Sequence, residues 1–136
     1  MRINRKVLET PLVKGIEELK KMTEEEFLKS HFYKEDGIDL EYFHKIKNSK
    51  SGYIRIIKTS DNQGYLRESE SREGFTPILA EDFSCHVILD DIYEDYYYTS
   101  TIQKIHWDKG EFETKNSTYS FVFKEMSPEE YDKTVL

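Results

Sequence analysis

Residues 97–123, YYTSTIQKIHWDKGEFETKNSTYSFVF, decide the fold class. Tyr97 to Trp107 is rich in Thr, Ile and Tyr, side chains that suit a pleated, half-buried surface. Asp108-Lys109-Gly110 supplies a turn, and Glu111-Phe112-Glu113-Thr114 then alternates with period two. Asn116-Ser117 turns again, and Tyr119-Ser120-Phe121-Val122-Phe123 alternates once more. Three strands joined by tight turns read as an antiparallel meander. On its C-terminal side, Ser127-Pro128-Glu129-Glu130 opens a last short helix, with Ser as cap and Pro at the first helical position. On its N-terminal side, Ser84-Cys85-His86-Val87-Ile88-Leu89 is a short apolar run that stops at Asp90-Asp91 and suits a buried strand. Tyr53-Ile54-Arg55-Ile56-Ile57-Lys58 is another strand, entered from the turn cluster Asn48 to Gly52. Residues 59–74, TSDNQGYLRESESREG, carry little beyond Tyr65 and Leu66 to bury and read as a long loop or solvated hairpin.

The first third has a helical period instead. Pro11 can open a helix whose Leu12, Ile16 and Leu19 recur at spacings of four and three. Thr23-Glu24-Glu25-Glu26 has the capping-box form, and Phe27, Leu28, His31 and Phe32 supply an apolar stripe, so a second helix is expected over 24–33. After Gly37, the run containing Ile38, Leu40, Tyr42, Phe43 and Ile46 is open between strand and helix, with helix over 39–46 preferred. The expected architecture is α+β: N-terminal helices packed on an antiparallel β-sheet or small open barrel, with a short C-terminal helix. Residues 1–136 read as a single domain, mainly helical over 1–47, mainly antiparallel β over 53–124, and helical again over 127–136.

Composition supports one folded unit. Aromatic residues make up 14% of the chain and offset an apolar share of only 37%, which argues against disorder. No apolar run is long enough to span a membrane, MRINRKVLET lacks the apolar stretch of a secretory leader, and Cys85 is the only cysteine. A cytoplasmic protein without a disulfide framework is expected. The chain holds 20 Lys+Arg against 27 Asp+Glu, a net charge of −7. That charge is local. Between Arg72 and Lys104 there is no base, while Glu73, Glu81, Asp82, Asp90, Asp91, Glu94 and Asp95 all fall inside the interval. The rest of the chain sums to zero.

No motif names a reaction. Asp90-Asp91-Ile92-Tyr93-Glu94-Asp95 has a superficial likeness to a magnesium-holding DDxxD element, but no base lies nearby to take a diphosphate, and its flanks read as strands. Cys85 and His86 are neighbours on a strand and point to opposite faces, so they cannot form a nucleophile and base pair; Cys85 reads as a small core residue. His31, His44, His86 and His106 lack the spacing that sets two ligands on one helical face. No enzyme activity, metal or cofactor is expected.

The segment Thr99 to Phe121 resembles a meander found in small uncharacterised proteins of phages and other mobile elements. The resemblance covers about 25 residues of turn and strand chemistry and implies a mobile-element origin with no activity attached. Beside it, the acidic interval points to a binding role. Tyr93, Tyr96, Tyr97 and Tyr98 interleave with Asp90, Asp91, Glu94 and Asp95, and rings set among charges are the composition of an interface hot spot. These eight residues are the candidate partner-binding site, with Tyr96 and Tyr98 the rings more readily assigned to the sheet core, since period two turns about half of the run inward. An acidic site favours a basic partner. The expectation is a non-enzymatic inhibitor that occupies a basic, nucleic-acid-binding surface, of a host defence effector in the manner of anti-CRISPR proteins, or of a nuclease toxin in the manner of immunity proteins. The alternative is a nucleic-acid-binding accessory protein that uses the basic and aromatic stretch 42–58, with Tyr42, Phe43, His44, Lys45, Lys47, Lys50, Tyr53, Arg55 and Lys58.

Overall fold

The computed structural model describes residues 7–62, 64, 66–89 and 96–134. After a 3-10 turn at Val7–Glu9 come α1 (Pro11–Lys21), α2 (Glu24–Lys29), α3 (His31–Lys34) and α4 (Leu40–Asn48). Six strands follow: β1 (Lys50–Lys58), β2 (Ser71–Leu79), β3 (Ser84–Leu89), β4 (Tyr96–His106), β5 (Glu111–Thr114) and β6 (Thr118–Glu125). The last helix is α5 (Pro128–Lys133). The α+β class holds, but the sheet is neither flat nor open. All neighbouring strands are antiparallel, and β1 also pairs with β6 from Gly52 opposite Glu125 to Lys58 opposite Tyr119, so the six strands form a closed barrel. Local alternation cannot announce that last seam, because it joins segments more than sixty residues apart.

Two glycines let the barrel close. A Cβ on Gly52 would lie 2.1 Å from the Lys124 carbonyl oxygen, and one on Gly74 would lie 2.0 Å from the Ile88 carbonyl oxygen. Both distances are far inside van der Waals contact, so these strand positions exclude every side chain. The interior holds a continuous apolar core in which Ile54, Ile56, Val87, Ile102 and Phe112 are fully enclosed. At the far end of β1, Lys58 is only 1% exposed, and its ammonium donates to the carbonyl oxygens of Asn62 and Leu66, each at 2.8 Å. Those bonds draw the following loop over the barrel mouth and seat Leu66 in the core.

Two further layers cover the outer wall. Ile16, Leu19, Phe27, Phe43 and Ile46 from the helices enclose Ile78 and Phe83. The 3-10 turn, α1 and α5 meet over β2 and β3, where Val7, Val13 and Tyr131 bury Phe75 and Ile88. The Asp132 carboxylate fastens this second layer by accepting from the amides of Val7 at 2.7 Å and Leu8 at 3.2 Å.

The helix signals act as their chemistry dictates, with one break. Thr23 and Glu26 form a reciprocal capping box, and so do Ser127 and Glu130. Asp39 caps α4 by accepting from the Tyr42 amide at 2.8 Å, which resolves the ambiguous 38–46 run as helix. The expected helix over 24–33 is divided: Ser30 is extended, its hydroxyl donates to the Phe27 carbonyl at 2.6 Å, and the chain restarts as α3. Strand β2 takes the last residues of the expected loop 59–74 and continues through Pro77. It escapes pattern reading because both its faces are buried from Gly74 to Leu79, leaving no alternation to detect. Among the described residues, no helix is long and apolar enough to cross a membrane.

Candidate functional site

Of the eight expected contact residues, Asp90, Asp91, Tyr93, Glu94 and Asp95 lie outside the described residues, and Tyr96, Tyr97 and Tyr98 open β4. Their facing is the reverse of the expected one. Tyr97 points into the barrel at 8% exposure, with its hydroxyl 3.2 Å from that of Tyr119, while Tyr96 and Tyr98 face solvent at 48% and 60%. The cause is register. Tyr97 lies opposite Val87, an interior residue, and that pairing fixes the parity of its neighbours. Burial, reinforced by the Tyr119 hydroxyl, raises the Tyr97 phenol far above its ordinary range, so it stays neutral and serves as core.

The outward rings gather a third. His86 lies opposite Tyr98 across the β3–β4 ladder, and its ring centroid is 5.7 Å from both Tyr96 and Tyr98, which are themselves 5.9 Å apart. Desolvation lowers the His86 pKa, partly opposed by its hydrogen bond to the Ser84 carbonyl, so the imidazole is uncharged at neutral pH. Its Nδ1 lies 3.3 Å from that carbonyl oxygen, an acceptor, which makes Nδ1 the protonated nitrogen. The result is a neutral aromatic cluster on an otherwise polar wall, and its sequence neighbour is the acidic segment.

From His86 the surface continues into a groove of about 430 Å³ between α1, α4 and the β2–β3 turn. Leu12, Gly15, Ile16, Tyr42 and Phe83 form much of it, and Ser84, His86 and Thr101 close the end nearest the rings. Asp82 is the one acid in its lining, and no Lys or Arg lines it. Sequence reading missed both His86 and this groove. Gly15 was the available signal, since a glycine within an amphipathic helix has no helical purpose.

Other constellations are chemically quiet. Cys85 is fully buried and its thiol is pushed up to about 12 by burial, so it is not a nucleophile. His106 Nε2 and Glu113 Oε2 pair at 2.7 Å on the outer wall. Among the described residues, no three of His, Cys, Asp and Glu converge as metal ligands. The basic stretch is spread over α4 and β1, and its lysines are engaged within the fold. Lys45 pairs with Asp82 at 3.1 Å, Lys47 donates to the Met22 carbonyl, Lys50 pairs with Glu125 at 3.9 Å, and Lys58 is buried. Three acids of the base-free interval are likewise engaged: Glu73 accepts from the Tyr53 hydroxyl, Glu81 from the Ile105 amide and Asp82 from Lys45. No family model, no curated protein and no solved structure matches the chain.

Proposed function

We propose that this chain is a non-enzymatic binding protein that occupies a basic, nucleic-acid-binding surface of another protein. The observation that carries the reading is the solvent-facing cluster of Tyr96, Tyr98 and His86 on the β3–β4 wall. Exposed tyrosines offer large, stiff contact area, and rings of this kind anchor interface hot spots. Their faces also attract Lys and Arg side chains. The surrounding sequence adds the matching sign, because no base occurs between Arg72 and Lys104, and Asp90, Asp91, Glu94 and Asp95 immediately precede Tyr96. Complementary charge speeds encounter and rejects wrong partners, while the rings supply the desolvated contact. In a mobile-element setting, such a protein would neutralise a defence effector or a nuclease toxin by covering the surface that holds nucleic acid.

The test is affinity capture from the lysate of a natural host with three baits: wild-type, Tyr96→Ala with Tyr98→Ala, and the four carboxylates Asp90, Asp91, Glu94 and Asp95 changed to Ala. The expected result is a basic protein retained by wild-type, released by heparin and lost from both variants. Retention by the variants, or indifference to heparin, overturns the reading.

A further inference from the structure

Three rings elsewhere in the molecule carry a cation of the chain itself. The Lys47 ammonium lies 5.4 Å from the centre of the Phe43 ring, that of Lys50 lies 5.8 Å from Trp107, and the Arg72 guanidinium lies 5.9 Å from Tyr97. The ring quadrupole attracts each of them. Tyr96 and Tyr98 are more exposed than Tyr97, yet among the described residues no Lys or Arg stands over them, and their ring contacts are with each other and with His86. The same site holds an open hydrogen-bond acceptor. Because Nδ1 of His86 donates to the Ser84 carbonyl, Nε2 carries the lone pair, and among the described residues it has no hydrogen-bond partner. The two nitrogens of an imidazole diverge, so Nε2 is directed away from Ser84. The imidazole is the shortest of the three side chains and is half-buried, which makes it the floor between two longer tyrosine rims.

A group that satisfies both features is a flat cation with N–H donors at its edge. Guanidinium has that form: it is planar and weakly hydrated, stacks on an aromatic face, and can donate from its rim while stacked. An ammonium is a compact, strongly hydrated charge with no face to lay on a ring. A nucleobase is flat, but its phosphate would meet strands that carry no Lys or Arg from Ser84 to Leu89 or from Tyr96 to Gln103. We infer that Tyr96, Tyr98 and His86 together seat one arginine side chain of the partner, its guanidinium flat on a tyrosine ring and one N–H donated to His86 Nε2. The inference rests on the proposed function and deepens it by naming the side chain that the partner places there. Arginine is one of the residues that dominate interface hot spots.

Amide-shift titration of the wild-type protein at about pH 7.5, where the imidazole is neutral, tests it. The probes are acetyl-Gly-Arg-Gly-amide, its lysine and citrulline counterparts, and adenosine monophosphate. Citrulline keeps the planar shape and the edge N–H groups of arginine without the charge. The expected result is saturable shifts at His86, Tyr96 and Tyr98 with the arginine peptide, binding of the lysine peptide weaker by about fivefold or more, and no binding of the citrulline peptide. His86→Phe keeps a ring and removes the acceptor, and thermal melting shows whether it retains the fold. It should weaken the arginine peptide by about fivefold or more and leave the lysine peptide unchanged. Lysine or citrulline binding equal to arginine, nucleotide binding at the same amides, or no saturable shift with the arginine peptide overturns the inference on wild-type alone. A folded His86→Phe that keeps full arginine affinity, or loses both peptides alike, overturns it too. If the seat fails while a basic protein is still captured through Tyr96 and Tyr98, the proposed function stands and only the arginine falls; loss of that capture as well removes both.

Discussion

Strand β3 presents two outward positions with opposite fates. Ile88 is 2% exposed beneath Val7, Val13 and Tyr131, whereas His86, two residues earlier on the same face, lies at the edge of open rings and an open groove. Val7, Val13 and Tyr131 cover one patch of barrel wall, and the adjoining patch that carries Tyr96 and Tyr98 is left exposed. Apolar area that a fold does not cover for itself is area available to a partner. The covered patch contributes to the core, and the bare one is the surface to which the proposed binding is assigned.

Truncation on each side should separate the two roles most strongly. Phe75→Ala, in the covered patch, should destabilise the protein by about 3–5 kcal/mol in urea unfolding, the usual cost of emptying a buried phenylalanine site. Tyr98→Ala, in the bare patch, should change stability by less than about 0.5 kcal/mol. Similar losses from both would erase the distinction. A smaller effect tests how the cover is fastened: Asp132→Ala removes the acceptor of two backbone amides and should cost about 1.5–3 kcal/mol. Hydrogen exchange should then quicken at Val7 and Leu8 and stay unchanged around Tyr98; uniform protection would show that the cover does not depend on Asp132.

The smallest effect concerns pH. Burial holds the folded His86 pKa below the ordinary value of 6.5, so on acidification the unfolded chain takes up the proton first. The contribution is whole above about 6.5 and shrinks as pH falls toward the folded pKa. Between about pH 7 and about pH 5, wild-type should lose more stability than His86→Phe, measured by urea midpoints. Equal losses would show that His86 does not titrate with folding. As pH falls through the lowered folded pKa, protonation also places positive charge among the exposed rings, so the proposed binding to a basic partner should weaken there.

Much of the architecture was legible because its signals are local. Turn residues at 108–110 and 116–117 delimit β4, β5 and β6, and the pairs Thr23 with Glu26 and Ser127 with Glu130 build the caps they spell. What escaped is set by long-range register. Three consecutive tyrosines carry no mark of parity, and only the pairing of Tyr97 with Val87 decides that Tyr96 and Tyr98 face outward. Closure depends on backbone proximity at Gly52 and Gly74, which resembles nothing in a hydropathy pattern. Of the candidate surface, Tyr96 and Tyr98 could be named from the sequence, whereas Gly15 and His86 come to line one groove only in the folded chain.

Lys58 turns the barrel mouth into something chemistry can time. It is the one buried charged side chain among the described residues, and two loop carbonyls enclose its ammonium. An amine-acylating reagent must wait for that enclosure to open, while the exposed lysines of the same molecule react at once. Peptide mapping after brief acylation would therefore give an internal clock, with surface lysines marking the dose and Lys58 recording how often the loop lets go.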